Sequence, residues 1–315
     1  MNVHPELADV LAALPEFDPL ADPVATRTHL RGVLAATPSR EDPHLVTEDL
    51  TIPGPAGDLR LRLYRPTGGT PASRPAVLYF HGGAFISGDL DTGDTNCRDI
   101  CRAADAVVVS VDYRLAPEHP YPAGFDDCYA ALLWTGANTA ALGVDPNRIA
   151  VSGRSAGGSL AAATALASRD RGGPALAYQL LLVPAVDDRC DQASVDAVTD
   201  GRVIDGRVVR GMWPLYLGPR AADQYAAPAR ATSLAGLPPT YLMVCEQDPL
   251  RDQGLDYARR LILAGVPTEI HHVPGAFHLF EGYAPTSSPA RRSTVAWTSA
   301  LAAALRSEGR KAEAS

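Results

Sequence analysis

No apolar run in this chain of 315 residues approaches the ~20 residues that a bilayer-spanning helix needs, so no membrane partner is expected. Positive charge is also short. Lys and Arg total 28 against 36 Asp and Glu, a formal net charge of −8, and no basic stripe is visible. That argues against nucleic acid as a partner. Cysteine is scarce: the 5 residues are odd in number and scattered, which fits reduced thiols rather than a disulfide framework. Cys97 and Cys101 could share a helix face as a metal pair. Two thiols without nearby partners read instead as packing residues, and no metal or organic cofactor is expected. The opening Met1–Glu6 carries neither a basic n-region nor an apolar h-region. No signal peptide is read there, and a cytoplasmic protein is expected. There is no internal repeat. What remains is 46% hydrophobic and 20% charged residues, enough for one large α/β domain with elaborations.

Leu7, Val10, Leu11 and Leu14 recur at helical spacing, and a second helix is predicted over Ala25–Ala36, with Pro15, Pro19 and Pro23 breaking the segment. Leu45–Ile52 and Leu59–Tyr64 alternate around the turn signal Gly54–Asp58, which predicts an antiparallel hairpin. Further strands are predicted at Ala76–Phe80, Ala106–Val111, Arg148–Ser152, Tyr178–Val183, Thr240–Cys245 and Glu269–Val273. Helices are predicted among them at Thr95–Ala104, Ala123–Thr135, Ser155–Ser168, Leu255–Ala264 and Ser293–Arg306, and Ser307–Ser315 is expected to fray. Strands alternating with helices imply a mostly parallel sheet with an antiparallel edge. Residues 188–224 break the rhythm and read as a helical insertion that packs with the N-terminal helices over the active site. The organisation is therefore residues 1–45 as part of a cap, 46–187 as the first part of a catalytic core, 188–224 as a cap insertion, and 225–315 as the second part of the core.

Gly153-Arg154-Ser155-Ala156-Gly157 is a G-x-S-x-G pentapeptide between an apolar strand and a small-residue helix. Such a turn exposes the serine hydroxyl in strained geometry, and a Cβ at either glycine would collide across it. The helix N-terminus then aims free N–H groups at the reacting centre. A serine needs a base, an orienting acid and an oxyanion site. Asp248 follows the strand ending at Cys245, His278 lies on the loop after the strand ending at Val273, and the order Ser, Asp, His is that of such hydrolases. Upstream, Ala76–Phe80 leads into the glycine-rich turn His81-Gly82-Gly83-Ala84-Phe85, which can aim backbone N–H groups at an alkoxide.

These stretches resemble the hormone-sensitive-lipase-like esterases of the α/β-hydrolase superfamily. The likeness runs from about Pro75 to the C-terminus. It is carried by HGGAFISG (His81–Gly88), DYRLAPEHPYPA (Asp112–Ala123), GRSAGG (Gly153–Gly158), DPLRD (Asp248–Asp252) and GAFHLF (Gly275–Phe280). It implies an α/β-hydrolase fold: a mostly parallel eight-stranded sheet flanked by helices, with a helical cap. It also implies Ser155 as nucleophile, His278 as base, Asp248 as acid, and an oxyanion hole from the N–H groups of Gly83, Ala84 and Ala156. The reaction is then carboxylic ester hydrolysis of short-to-medium acyl esters, with a small-molecule ester as substrate and a homodimer left open. Phe85, Trp213 and Tyr216 are candidates for the substrate pocket, against a plain core role.

Two departures from the family pattern stand out. Ala84 replaces the last glycine of H-G-G-G, and Arg154 stands where the family places Asp or a small residue. A guanidinium so near the site is expected to pair with a carboxylate, with Asp126, Asp127 and Glu118 as unranked candidates. The other groups admit competing readings. Ser155 could be an ordinary helix N-cap, and Asp252 is the rival acid. His271 and His272 read as packing or surface residues. His119 belongs to a loop whose prolines and Arg114–Glu118 pair suggest a structural role. The same triad could also serve an amidase, formamidase or lactonase, or the fold could carry a non-catalytic ligand binder. The presence of His278 argues against the last.

Overall fold

The computed structural model describes residues 2–36, 42–68 and 73–306. In chain order its elements are α1 (Pro5–Ala13), α2 (Pro23–Ala36), β1 (Leu45–Gly54), β2 (Gly57–Pro66), β3 (Arg74–Phe80), α3 (Asp94–Ala104), β4 (Val107–Val111), α4 (Ala123–Ala137) and α5 (Thr139–Leu142). These are followed by β5 (Val144–Arg154), α6 (Ala156–Arg171), β6 (Tyr178–Leu182), α7 (Ala193–Ala197), α8 (Gly206–Leu217), β7 (Thr240–Gln247), α9 (Arg251–Leu263), β8 (Thr268–Phe277), α10 (Phe280–Tyr283) and α11 (Ser288–Ala304). The expected frayed tail, Ser307–Ser315, lies outside the described residues.

The strands form one eight-stranded sheet in the order β1-β2-β4-β3-β5-β6-β7-β8. The hairpin β1–β2 joins antiparallel to β4, and every pairing from β4 through β8 is parallel. This is the mostly parallel sheet with an antiparallel edge that the alternating pattern implies, and its eight strands agree with the fold that the resemblance implies. β3 sits between β4 and β5, so the chain reverses its direction of travel across the sheet there. In open parallel sheets the crevice outside the strand C-termini at such a point is where ligands bind. The C-terminal ends of β3 and β5 carry the glycine-rich turn and Ser155.

Successive strand residues face opposite layers. Ala76, Leu78 and Phe80 of β3 join one hydrophobic cluster, with α4 and α6; Val77 and Tyr79 join the other, with α3 and α11. Every residue of α6 from Ala156 to Ser168 is buried, which explains its run of Gly, Ala and Ser: only small side chains let a helix lie this close to a sheet. All five cysteines are free and buried, Cys97 and Cys101 among the apolar side chains of the α3 and α11 layer. Among the described residues no group of three His, Cys, Asp or Glu side chains could hold a metal ion. No helix among them is long and apolar enough to cross a membrane.

Several boundaries differ from expectation for local reasons. α2 begins at Pro23 because Asp22 caps it, accepting from the Ala25 N–H at 2.9 Å. α11 begins five residues before Ser293, where Ser287 accepts from the Ala290 N–H. α9 starts at Arg251 rather than Leu255, so Asp252 falls in its first turn. β8 continues to Phe277, and His278 follows it directly. Residues 188–224 hold α7 and α8 and no strand. They meet the N-terminal segment: the Phe17 N–H donates to the Gly201 carbonyl at 3.1 Å, and Leu20 fills the space a Cβ on Gly211 would take.

Candidate active site

Ser155 sits between β5 and α6 at φ 57°, ψ −120°. The neighbouring glycines permit this turn. A Cβ on Gly153 would lie 2.1 Å from the Gly157 carbonyl oxygen, and one on Gly157 would lie 2.0 Å from that of Phe80. Although Ser155 stands at the N-cap of α6, its hydroxyl caps no helical N–H. Ser155 Oγ lies 3.1 Å from His278 Nε2 instead. His278 Nδ1 lies 2.7 Å from Asp248 Oδ2, and the other carboxylate oxygen accepts from the Leu250 N–H at 2.8 Å. All three side chains are buried. With the proton on Nδ1 directed at the carboxylate, the Nε2 lone pair faces the serine hydroxyl, which is the arrangement a general base needs.

Asp252 is engaged elsewhere: its carboxylate accepts from the Ser194 N–H at 2.8 Å and from Arg251 Nε at 2.7 Å. The other histidines also stand apart. His81 is fully buried, stacks on Tyr113 with ring centroids 4.2 Å apart, and is pushed down to about 4 by burial. His271 is half-buried on β8, where burial also lowers its pKa, and His272 and His119 are exposed.

Gly82 closes the glycine-rich turn against the serine: a Cβ there would lie 3.0 Å from the Arg154 carbonyl oxygen and 3.5 Å from Ser155 Cβ. Among the described residues, the N–H groups of Gly83, Ala84 and Ala156 donate to no acceptor. Ala84 adopts φ 53° and Phe85 φ 64°, so the turn keeps a left-handed path without its last glycine. An alanine there carries a cost of about 1–2 kcal/mol. Ala84→Gly is therefore expected to leave thermal stability unchanged or raise it by up to about 1 kcal/mol, against the usual loss on introducing glycine. A melting curve showing a loss above about 1 kcal/mol would mean that the methyl packs for more than its strain.

Phe85, Trp213 and Tyr216 come together in one buried aromatic group. Phe85 stacks on Tyr216 at 3.9 Å and lies 5.4 Å from Trp213, so α8 meets the residue that follows Ala84.

Arg154 does pair, but not with the carboxylates expected. Its guanidinium donates to Glu281, and both side chains are buried. The reason is strand alternation. Arg154 points to the same face as Ala150, into the layer of α11, whereas Asp126 and Asp127 lie on α4 across the sheet. Asp127 instead holds Arg114 at 2.8 Å, and Glu118 holds Arg27 at 2.7 Å, so the expected Arg114–Glu118 pair is not formed. Arg27 and Glu281 were not singled out in the sequence. Arg27 donates to the carbonyls of Ile86 and Ala116 at 2.6 Å each, pinning α2 to the segment that follows the glycine-rich turn. Neither residue belongs to a recognisable motif, and only the fold brings their partners near.

A family model described as "alpha/beta hydrolase fold" matches residues 77–282. The chain belongs to the α/β-hydrolase family. Within it, the chain falls in the hormone-sensitive-lipase-like group. It is 42% identical over 297 residues to Esterase LipI of Mycobacterium tuberculosis, covering 93% of this chain and 92% of that one. It is 36% identical over 256 residues to an arylesterase of Saccharolobus solfataricus, covering 78% and 81% of the two chains. Among solved structures, a bacterial heroin esterase superposes with a TM-score of 0.93 at 38% identity, covering 97% of this hydrolase and 99% of that chain.

Proposed function

We infer that this protein is a carboxylic ester hydrolase that cleaves short-to-medium acyl esters through an acyl-enzyme. The observation that carries the reading is the unbroken chain Ser155 Oγ, His278 and Asp248, at 3.1 Å and 2.7 Å, beside three N–H groups that donate to no acceptor among the described residues. The names of relatives similar over most of their length agree with it.

In this mechanism Ser155 attacks the ester carbonyl while His278 takes its proton through Nε2. Asp248 holds the imidazole and stabilises its cation. The Gly83, Ala84 and Ala156 N–H groups receive the oxyanion, each contributing about 3 kcal/mol to the transition state. His278 then returns the proton to the leaving alcohol. Water, activated by the same imidazole, releases the acid from the acyl-enzyme. A fluorophosphonate probe tests the reading: it should label Ser155 in the native protein, and absence of labelling with the fold intact would refute it.

The N-terminal residues 1–45 and the insertion 188–224 act as a cap in this reading. The contacts of Phe17 and Leu20 with the insertion, and of α8 with Phe85, support that role. Phe85, Trp213 and Tyr216 then form an apolar wall that bounds the acyl chain. Each buried methylene adds at most about 0.8 kcal/mol until the pocket is full. The best kcat/KM is therefore expected for acyl chains below about ten carbons. Preference for long triglycerides with interfacial activation would overturn the pocket assignment.

A further inference from the structure

Arg154 and Glu281 lie 127 residues apart in sequence and meet in the interior. Arg154 is the last residue of β5, immediately before Ser155, and Glu281 lies on α10, three residues after His278. The carboxylate is held from a third side as well: Trp297 Nε1 of α11 donates to its other oxygen at 3.1 Å. Burial works against the Arg154 charge, but Glu281 and Tyr79 outweigh it and hold the guanidinium above its ordinary pKa. A guanidinium cannot shed its proton in a protein, so its charge persists whatever stands opposite.

We propose that the Arg154–Glu281 pair is a positioning clamp for His278. It fixes the short helix that follows the base to the strand end that carries the nucleophile, and as a balanced pair it keeps a bare charge from acting on the imidazole. The pair touches no reacting atom. Its meaning for catalysis rests on the ester-hydrolase reading above, but its measurement does not.

Other groups surround the pair. Tyr79 of β3 and Cys245 of β7 interact electrostatically with Arg154. Cys245 also interacts with Glu281 and with Asp248, which links the pair's field to the residue that holds His278. Tyr241 of β7 and His271 of β8 interact with Glu281, and Thr294 of α11 approaches it at 3.5 Å. Asp248 holds His278 at 2.7 Å and Glu281 holds Arg154, so removing one member of the pair leaves an uncompensated buried charge close to the triad.

The test is the titration of His278, followed by NMR of its ring in the full chain. Glu281→Gln keeps the shape and leaves Arg154 alone. The remaining positive charge disfavours the imidazolium, so the His278 midpoint should fall by about one pH unit. Arg154→Met leaves Glu281 alone and should move the midpoint the opposite way. The double variant Arg154→Met/Glu281→Gln, with both charges gone, should return it close to the native value. Loss of kcat at unchanged KM should accompany the single changes. A loss of melting temperature with the midpoint unmoved, or a midpoint that moves the same way in both single variants, would overturn the proposal and leave the pair a packing feature. If one single variant fails to fold, the other and the double still fix the sign. Failure of the native protein to react with a fluorophosphonate would count against the ester-hydrolase reading instead, and the titrations do not depend on it.

Discussion

Ser155→Ala should remove nearly all ester turnover, a loss on the order of 10^6 in kcat, while the protein remains folded. The hydroxyl is the only atom the change deletes from the turn, and it caps no helical N–H, so α6 loses nothing. His278→Ala should cost about as much, and the two changes together should cost hardly more. In the proposed mechanism nucleophile and base act as one unit, 3.1 Å apart, and removing either ends the proton transfer. The measurement is p-nitrophenyl acetate hydrolysis by purified variants whose circular dichroism matches the native protein. Substantial residual turnover by Ser155→Ala would end the assignment of nucleophile.

The second large effect separates two neighbouring acids. Asp248→Asn should lower kcat by about 10^4, because an amide in place of the carboxylate favours the wrong imidazole tautomer and no longer stabilises the cation. Asp252→Asn should act on stability rather than on chemistry. Its carboxylate serves the Ser194 N–H and Arg251, while His278 Nδ1 is paired with Asp248. The comparison is between kcat and melting temperature for the two variants. If Asp252→Asn cuts kcat more than Asp248→Asn does, the acid has been misassigned.

How much was legible beforehand depended on how local the signal was. The strands and main helices announce themselves through apolar alternation and through turn residues such as Gly54 and Gly57, and the eight-stranded sheet follows from them. The turn at Ser155 is legible because sterics leave few choices: only glycine fits at positions 153 and 157. Two helices start earlier than the pattern predicts, at Ser288 and Arg251, since the residues that begin them belong to loop-like stretches of Ser, Pro and Asp. The partner of Arg154 is Glu281, not Asp126, Asp127 or Glu118. A sequence reveals that a buried charge needs an opposite one, but which carboxylate arrives is decided by the face of β5 on which Arg154 falls. The same holds for Arg27, whose acceptors Ile86 and Ala116 are backbone atoms that no motif can mark.

The wide sequence separation across the site bears on how the protein acquires activity. Ser155 and His278 are 123 residues apart, and His278 comes from the outermost strand of the parallel array, β8. Bringing such ends together requires closing long loops before their contacts can repay the entropy, which slows folding. The hairpin and the helices can form early, while Ser155 and the proposed base meet only when β8 docks on β7. During refolding, helical signal should return before hydrolytic activity, and a chain released before residue 278 has joined the sheet should be inert. Turnover is thus a reporter of complete assembly, more stringent than any spectroscopic measure of secondary structure.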